Sequence, residues 1–149
     1  MTRKTLRVVK LSPTAKLPQY AHPSDAGLDL FAIEEIRLKP QGRSLVRTGI
    51  SVQLPRATEG QIRPRSGLAL QHGVTVLNSP GTIDEGFRGE ISVLLVNLGE
   101  DDFEILPGMK IAQLVISNVV AVDVQEVDDL RALSPTDRGR KGFGSTGGK

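Results

Sequence analysis

The sequence predicts an all-β domain, a sandwich or barrel of short strands. Three observations predict it. Turn signals such as Pro40-Gln41-Gly42, Gly99-Glu100-Asp101-Asp102 and Pro107-Gly108 recur about every eight to twelve residues. The runs between them are short and rich in Val, Ile and Leu, and one stretch alone suits a helix. The chain has 149 residues, which suits one domain with one core, and with aromatic residues at 3% that core is aliphatic.

Taken in order, residues 6–9 form a short β-branched strand, and residues 17–23 are Pro-flanked and extended. Residues 26–32 alternate, with Leu28 and Leu30 on one face and Asp29 on the other, where an ordinary solvent-facing role suits it. Strands are expected at 36–38, 44–48 and 49–54, and residues 60–64 lead into the one helical stretch, 65–73, of at most two turns. Gly73 is its natural stop. Residues 74–77 form a strand that enters a loop, Asn78-Ser79-Pro80-Gly81-Thr82-Ile83-Asp84-Glu85-Gly86-Phe87-Arg88-Gly89-Glu90. This loop is rich in turn residues and carries paired carboxylates; its plain reading is a β-hairpin with a solvated acidic tip. Further strands are expected at 91–97, 103–106, 110–116 and 119–127. From Arg138 the chain is Gly-rich and basic, without apolar periodicity, and is expected to be mobile.

Composition narrows the chemistry. Cys is absent, so there is neither disulfide nor thiolate metal site, which fits a reducing compartment. His22 and His72 are too few for a His-rich site, so a bound metal would be a hard cation held by oxygens, which points to Mg²⁺. The net charge of +2 is too mild to predict a nucleic-acid partner. Neither a signal peptide nor a membrane span is visible, and a soluble cytoplasmic protein is expected. No Ser/His/Asp or Cys/His nucleophile set emerges. The residues present support a carboxylate that activates water, with cationic donors and Mg²⁺ on a polyphosphate.

Gly142-Phe143-Gly144-Ser145-Thr146-Gly147 matches G-x-G-x-x-G in form, but no helix follows it, so a dinucleotide fold is rejected. Its glycines and hydroxyls, with Arg138, Arg140 and Lys141, still suit phosphate, and Phe143 suits stacking on a base. Arg65 and Ser66 stand where a strand gives way to a helix and are suitable anion donors; the plainer roles are surface charge and N-cap. Gln113 is either a surface residue or a polar handle in a cleft.

Five segments in this order resemble the motifs of the trimeric deoxyuridine triphosphate nucleotidohydrolases, the dUTPases. They are Ala26-Gly27-Leu28-Asp29-Leu30; Pro64-Arg65-Ser66-Gly67-Leu68-Ala69; residues 78–90; Gly108-Met109-Lys110-Ile111-Ala112-Gln113-Leu114; and residues 138–147. The resemblance implies a distorted β jelly-roll barrel with one short helix and a homotrimer whose active sites are each assembled from three chains. It implies a body over 1–137 and a lid over 138–149. The implied reaction is Mg²⁺-assisted hydrolysis of dUTP to dUMP and pyrophosphate, which keeps uracil out of DNA and supplies dUMP for dTTP synthesis.

By position, Asp84 would be the base that activates water. Asn78 and the backbone of Gly81, Thr82, Ile83 and Asp84 would read uracil. Arg65, Ser66, Gly67 and Gln113 would hold phosphates, and Asp29 would help position Mg²⁺ through water. Arg138, Gly144, Ser145 and Thr146 would close over the γ-phosphate with Phe143 over the base. Phe87 stands where the family usually has Tyr; it keeps the wall against the deoxyribose and lacks the phenol oxygen. Two rivals share the scaffold, a dCTP deaminase-like enzyme and a non-enzymatic regulatory protein. The loop at 78–90 and the complete Gly-Phe-Gly-Ser-Thr-Gly tail argue against the first, and the filled catalytic positions against the second.

Overall fold

A computed structural model describes residues 4–142 of the chain. Its strands are β1 (Arg7–Lys10), β2 (Leu28–Phe31), β3 (Ile36–Leu38), β4 (Arg43–Gln53), β5 (Thr58–Arg63), β6 (Val74–Val76), β7 (Gly81–Ile83), β8 (Glu90–Asn97), β9 (Phe103–Ile105) and β10 (Lys110–Asn118). One helix, α1 (Ser66–His72), lies between β5 and β6, and a single 3-10 turn covers Leu130–Ala132. All strand pairs are antiparallel. One four-stranded sheet runs β1-β4-β8-β6, another runs β2-β10-β5-β7, and β3 pairs with β9. The sheets do not join into a closed barrel, and the arrangement is the jelly-roll-like all-β fold expected.

Period-two burial explains the packing. β8 and β5 alternate between buried and partly exposed residues along most of their lengths. The inward residues of the first sheet include Val46, Ile50, Ile91, Val93 and Leu95; those of the second include Leu30, Ile62, Ile111 and Leu114. Together they make one largely aliphatic core, joined by Phe103, as the scarcity of aromatic residues requires. Each fully buried aliphatic side chain contributes about 1.5–3 kcal/mol of transfer free energy. Asn97 is fully buried in this core edge. Its amide donates to the carbonyls of Leu38 (2.9 Å) and Asp101 (2.8 Å), and its oxygen accepts from the Gly99 N–H at 2.9 Å.

Four local expectations are corrected. The two strands expected at 44–48 and 49–54 are one strand, β4, with a register shift between Arg47 and Ser51. Gly49 sits in that bulge with φ of 68°. Residues 81–83, expected in a loop, form β7 and pair with β5, while the flanking β6 and β8 pair with each other in the other sheet. The segment 78–90 is thus an excursion from one sheet to the other rather than a two-stranded hairpin. Residues 119–127, expected as a strand, form no strand and belong to no sheet among the described residues. Val120, Val122 and Val124 do alternate, yet they are 83%, 75% and 94% exposed, because nothing among the described residues offers them a ladder or a face. Residues 17–23 contribute one bridge, Gln19 to Asp29, rather than a strand.

The helix ends as expected. Gly73 takes a left-handed φ of 68° and its N–H donates to the Ala69 carbonyl at 3.1 Å. At the other end Arg65, not Ser66, is the N-cap, with an extended backbone and no side-chain cap. Ser66 is thereby left inside the first turn with its hydroxyl free of that role. Among the described residues no helix is long and apolar enough to cross a membrane.

Candidate active site

Three of the five motifs meet at one end of the β2-β10-β5-β7 sheet. Asp29 on β2 is in register with Gln113 on β10, and Gln113 with Arg63 on β5. Phe31 is in register with Lys110, and one extra residue between Lys110 and Ala112 makes a bulge. Asp29 and Phe31 share a face of β2, so the bulge brings Lys110 and Gln113, three apart in sequence, onto that face. The spacing Lys-x-x-Gln is therefore meaningful only with the bulge. A side chain at Gly27 would stand 2.6 Å from Gln113 Oε1, so the glycine of the first motif leaves room for the glutamine of the fourth. Gln113 Nε2 reaches the Pro64 carbonyl at 3.5 Å, the outer limit of a hydrogen bond.

Asp29 is buried, 6% exposed, contrary to its solvent-facing alternation. The alternation fails because β2 is covered on both faces from Asp29 to Phe31. A buried carboxylate needs partners, since removing a charge from water costs several kcal/mol. Lys110 Nζ lies 2.7 Å from Oδ2 and Arg65 Nε lies 3.6 Å from Oδ1. The ammonium supplies charge to Oδ2 without the direction of a hydrogen bond, so that oxygen has no aligned donor. Arg65 also donates from Nη1 to the Lys110 carbonyl at 3.2 Å. Asp29 thus holds two cations beside the open start of α1, where a side chain on Gly67 would meet nothing within 4 Å. Lys110 was not singled out by sequence, because a lysine in a strand reads as surface until the bulge is known.

The third motif stands elsewhere. β7 is the edge of the sheet, three strands from β2. Ile83 is in register with Gly60, three residues before the Arg63 row that holds Gln113 and Asp29. With strands about 4.8 Å apart and about 3.3 Å per residue, Ile83 and Asp29 are about 17 Å apart, and Asp84 lies one step farther. One chain therefore does not bring Asp84 to Arg65, Lys110 and Gln113. Within the motif, Asn78 lies over Gly81, whose added side chain would be 3.3 Å from Asn78 Nδ2. Gly81 and Ile83 are buried and Thr82 and Asp84 are exposed. Ile83 so belongs to the core by its side chain and offers only backbone outward.

A turn follows, closed by the Phe87 N–H donating to the Asp84 carbonyl at 3.0 Å. Phe87 is 41% exposed and its ring lies over Gly89, where a side chain would be 2.6 Å from Phe87 Cζ. This close approach needs glycine. Arg138 donates from Nε to the Lys141 carbonyl at 3.2 Å within a turn of its own. The expected contributions of Phe143, Gly144, Ser145 and Thr146 lie outside the described residues.

A resident metal does not fit these groups. Among the described residues no three His, Cys, Asp or Glu gather as a cage. Asp29 faces two cations, which would oppose a third. A shifted acid belongs to none of the five motifs: the Arg131 side chain, then its backbone N–H, hydrogen-bond Asp129 and hold its carboxyl below the usual range.

Comparison with known proteins agrees with this architecture. A deoxyuridine 5'-triphosphate nucleotidohydrolase of Clostridium kluyveri is 59% identical over 142 residues, covering 95% of this chain and 97% of that protein. One from Clostridium tetani is 56% identical over 147 residues, covering 99% of each. The dUTPase of Staphylococcus bacteriophage 80alpha, solved with dUpNHpp, superposes with a TM-score of 0.89 at 28% identity over 97% of this chain and 99% of that one. A variant dUTPase of S. aureus phage phi11, whose structure details the coordination of a structural Mg(II) ion, gives a TM-score of 0.80 at 25% identity over 86% of this chain and 99% of that one. The dUTPase family model matches residues 14–147, so the chain belongs to the dUTPase family.

Proposed function

We propose that this chain hydrolyses dUTP to dUMP and pyrophosphate, at sites assembled between the subunits of a homotrimer. The observation that carries the reading is the full-length likeness to named deoxyuridine 5'-triphosphate nucleotidohydrolases, 59% identical over 95% of this chain. The geometry supports it with two complementary half-sites that one chain keeps about 17 Å apart.

In this reading a water oxygen attacks the α-phosphorus, and Asp84 accepts the water's proton. The bond from the α-phosphorus to the bridging oxygen breaks, and pyrophosphate leaves with the β- and γ-phosphates. An exposed Asp84 on a fixed turn is placed to meet a substrate from outside its own chain. Arg65, Ser66, the Gly67 backbone and Gln113 of another chain hold the phosphates, with Lys110 beside them. Asn78 and the backbone from Gly81 to Asp84 match the acceptor–donor–acceptor edge of uracil; cytosine would leave buried groups unpaired. Phe87 walls off the 2′ position of the sugar. Residues 138–149 close over the phosphates as a lid on the body formed by 1–137, with Arg138, Gly144, Ser145 and Thr146 on the γ-phosphate and Phe143 over the base.

Mg²⁺ enters as part of the triphosphate complex, because among the described residues the acidic groups make no cage for it. Asp29 holds Arg65 and Lys110 toward the phosphates and meets the ion only through water. The exposed valines at 120, 122 and 124 and the unpaired arm that bears them gain partners in a trimer.

The test is product analysis with dUTP, dCTP and UTP, each with Mg²⁺ and again with chelator. Pyrophosphate and dUMP from dUTP alone, lost on chelation, is the expected result. Ammonia from dCTP would overturn it in favour of deamination. No turnover of any nucleotide would overturn it in favour of a non-enzymatic role.

A further inference from the structure

The segment that bears Asp84 is exposed, yet its backbone is tied down beyond β7. Arg88 donates from Nη1 to the carbonyls of Glu85 (2.7 Å) and Phe87 (2.8 Å), and Ser51 Oγ donates to the Arg88 carbonyl at 2.7 Å. The remaining tie is Glu85, the residue after Asp84. Its Oε2 accepts the Ala57 N–H at 2.9 Å. Ala57 is a rigid anchor. It holds a left-handed φ of 57°, which L side chains rarely adopt. It also stands in a turn fixed by the buried Thr58, whose hydroxyl donates to the Pro55 carbonyl at 2.6 Å. The other side of Ala57 faces the C-terminal arm: its carbonyl accepts the Val119 N–H at 3.1 Å. Val119 is the first residue after β10, where the arm leaves the sheets.

We infer that Glu85 is a positioning residue for Asp84, and that through Ala57 it ties the Asp84 turn to the root of the C-terminal arm. An exposed glutamate beside a catalytic aspartate reads as a surface charge, or as a second carboxylate for the reaction. Its contact argues for neither, since its Oε2 is already spent on the Ala57 backbone N–H. The tie fixes the peptide on the C-terminal side of Asp84, as β7 fixes the N-terminal side. The arm's departure angle at Val119 and the angle of the Asp84 turn are then set by one residue. The inference deepens the proposed hydrolysis and rests on it for its kinetic part.

The test compares Glu85→Ala and Glu85→Gln in the full chain. Glutamine keeps an acceptor oxygen at the same reach and removes the charge. Glu85→Ala is expected to lower kcat for dUTP about tenfold with KM within about twofold, the scale of one lost hydrogen bond, and Glu85→Gln to restore most of kcat. Amide hydrogen exchange reads the tie without catalysis: Ala57 and Val119 should both lose protection in the alanine variant and keep it in the glutamine variant. Unchanged kcat in Glu85→Ala would overturn the positioning role. A glutamine variant as slow as the alanine variant would show that charge, not the hydrogen bond, acts. A Val119 amide indifferent to both changes would overturn the link to the arm. If the parent chain hydrolyses no nucleotide, the functional reading fails by itself, and the exchange rates still decide the tie.

Discussion

Asp84 is accessible and lies on a turn held on both sides, and in the proposed reaction it accepts a proton in the transition state. Asparagine is nearly its isostere and cannot do so. Asp84→Asn should bind a non-hydrolysable dUTP analogue with little change while kcat falls by about a hundredfold to ten-thousandfold, the range of a lost general base. Titration calorimetry and steady-state rates measure the two halves separately; a kcat near the parent's would remove Asp84 from the base role. In the same proposed reaction Phe87 acts on selectivity instead. The far end of its ring lies against Gly89, which offers a wall without the phenol oxygen of a tyrosine. Phe87→Ala should raise turnover of UTP relative to dUTP, measured as the ratio of kcat/KM values. An unchanged ratio would show that the sugar is sorted elsewhere.

At the scale of elements, the strands were legible where period two was clean. β3 and β8 fall where alternation and length put them, and α1 ends at Gly73 for the reason its sequence suggests. What alternation could not reveal was any feature that depends on a neighbour. β7 is a three-residue strand made by β5 beside it, not by its own turn-rich sequence. The arm at 119–127 alternates like a strand in sequence and has no ladder among the described residues. Asp29 looked solvent-facing because the second layer over β2 is invisible in sequence, and Lys110 was hidden by a bulge.

The bulge in β4 carries a prediction of its own. Gly49 has φ of 68°, and an added Cβ would stand 2.9 Å from Ala15 Cβ and 3.1 Å from Ile33 Cδ1. Gly49→Ala combines left-handed strain with overpacking and should lower stability by about 1–3 kcal/mol. Its N–H bond to Glu90 Oε1, 2.9 Å long, would be strained as well. Denaturant midpoints at one fixed protein concentration test this, since association also contributes to stability. No loss of midpoint would mean that the bulge relaxes at little cost.

The whole molecule raises the question of how, in the proposed reaction, Asp84 meets the group proposed to hold the phosphates. The β2-β10-β5-β7 sheet is a rigid spacer between them, and no side chain spans about 17 Å. Bending the sheet to close that gap would break the ladders that make it. In the proposed trimer a second chain would close it without deformation, and cyclic symmetry would then repeat the join at every interface. Two inactive variants can test this. Asp84→Asn keeps the phosphate-holding group and loses the base; Arg65→Ala keeps the base and loses a phosphate donor. Each alone should be nearly inactive. Unfolded together in equal amounts and refolded, they should form mixed oligomers in which some sites draw Asp84 from one variant and Arg65 from the other. Random assembly from two kinds of chain gives about a quarter of the sites both intact groups, so about a quarter of the parent's activity should return. A site contained within one chain predicts none, because every chain in the mixture lacks one of the two groups. Activity that returns only on refolding together, and not on mixing folded samples briefly, would also show that the complement arises from shared oligomers rather than from contaminating parent.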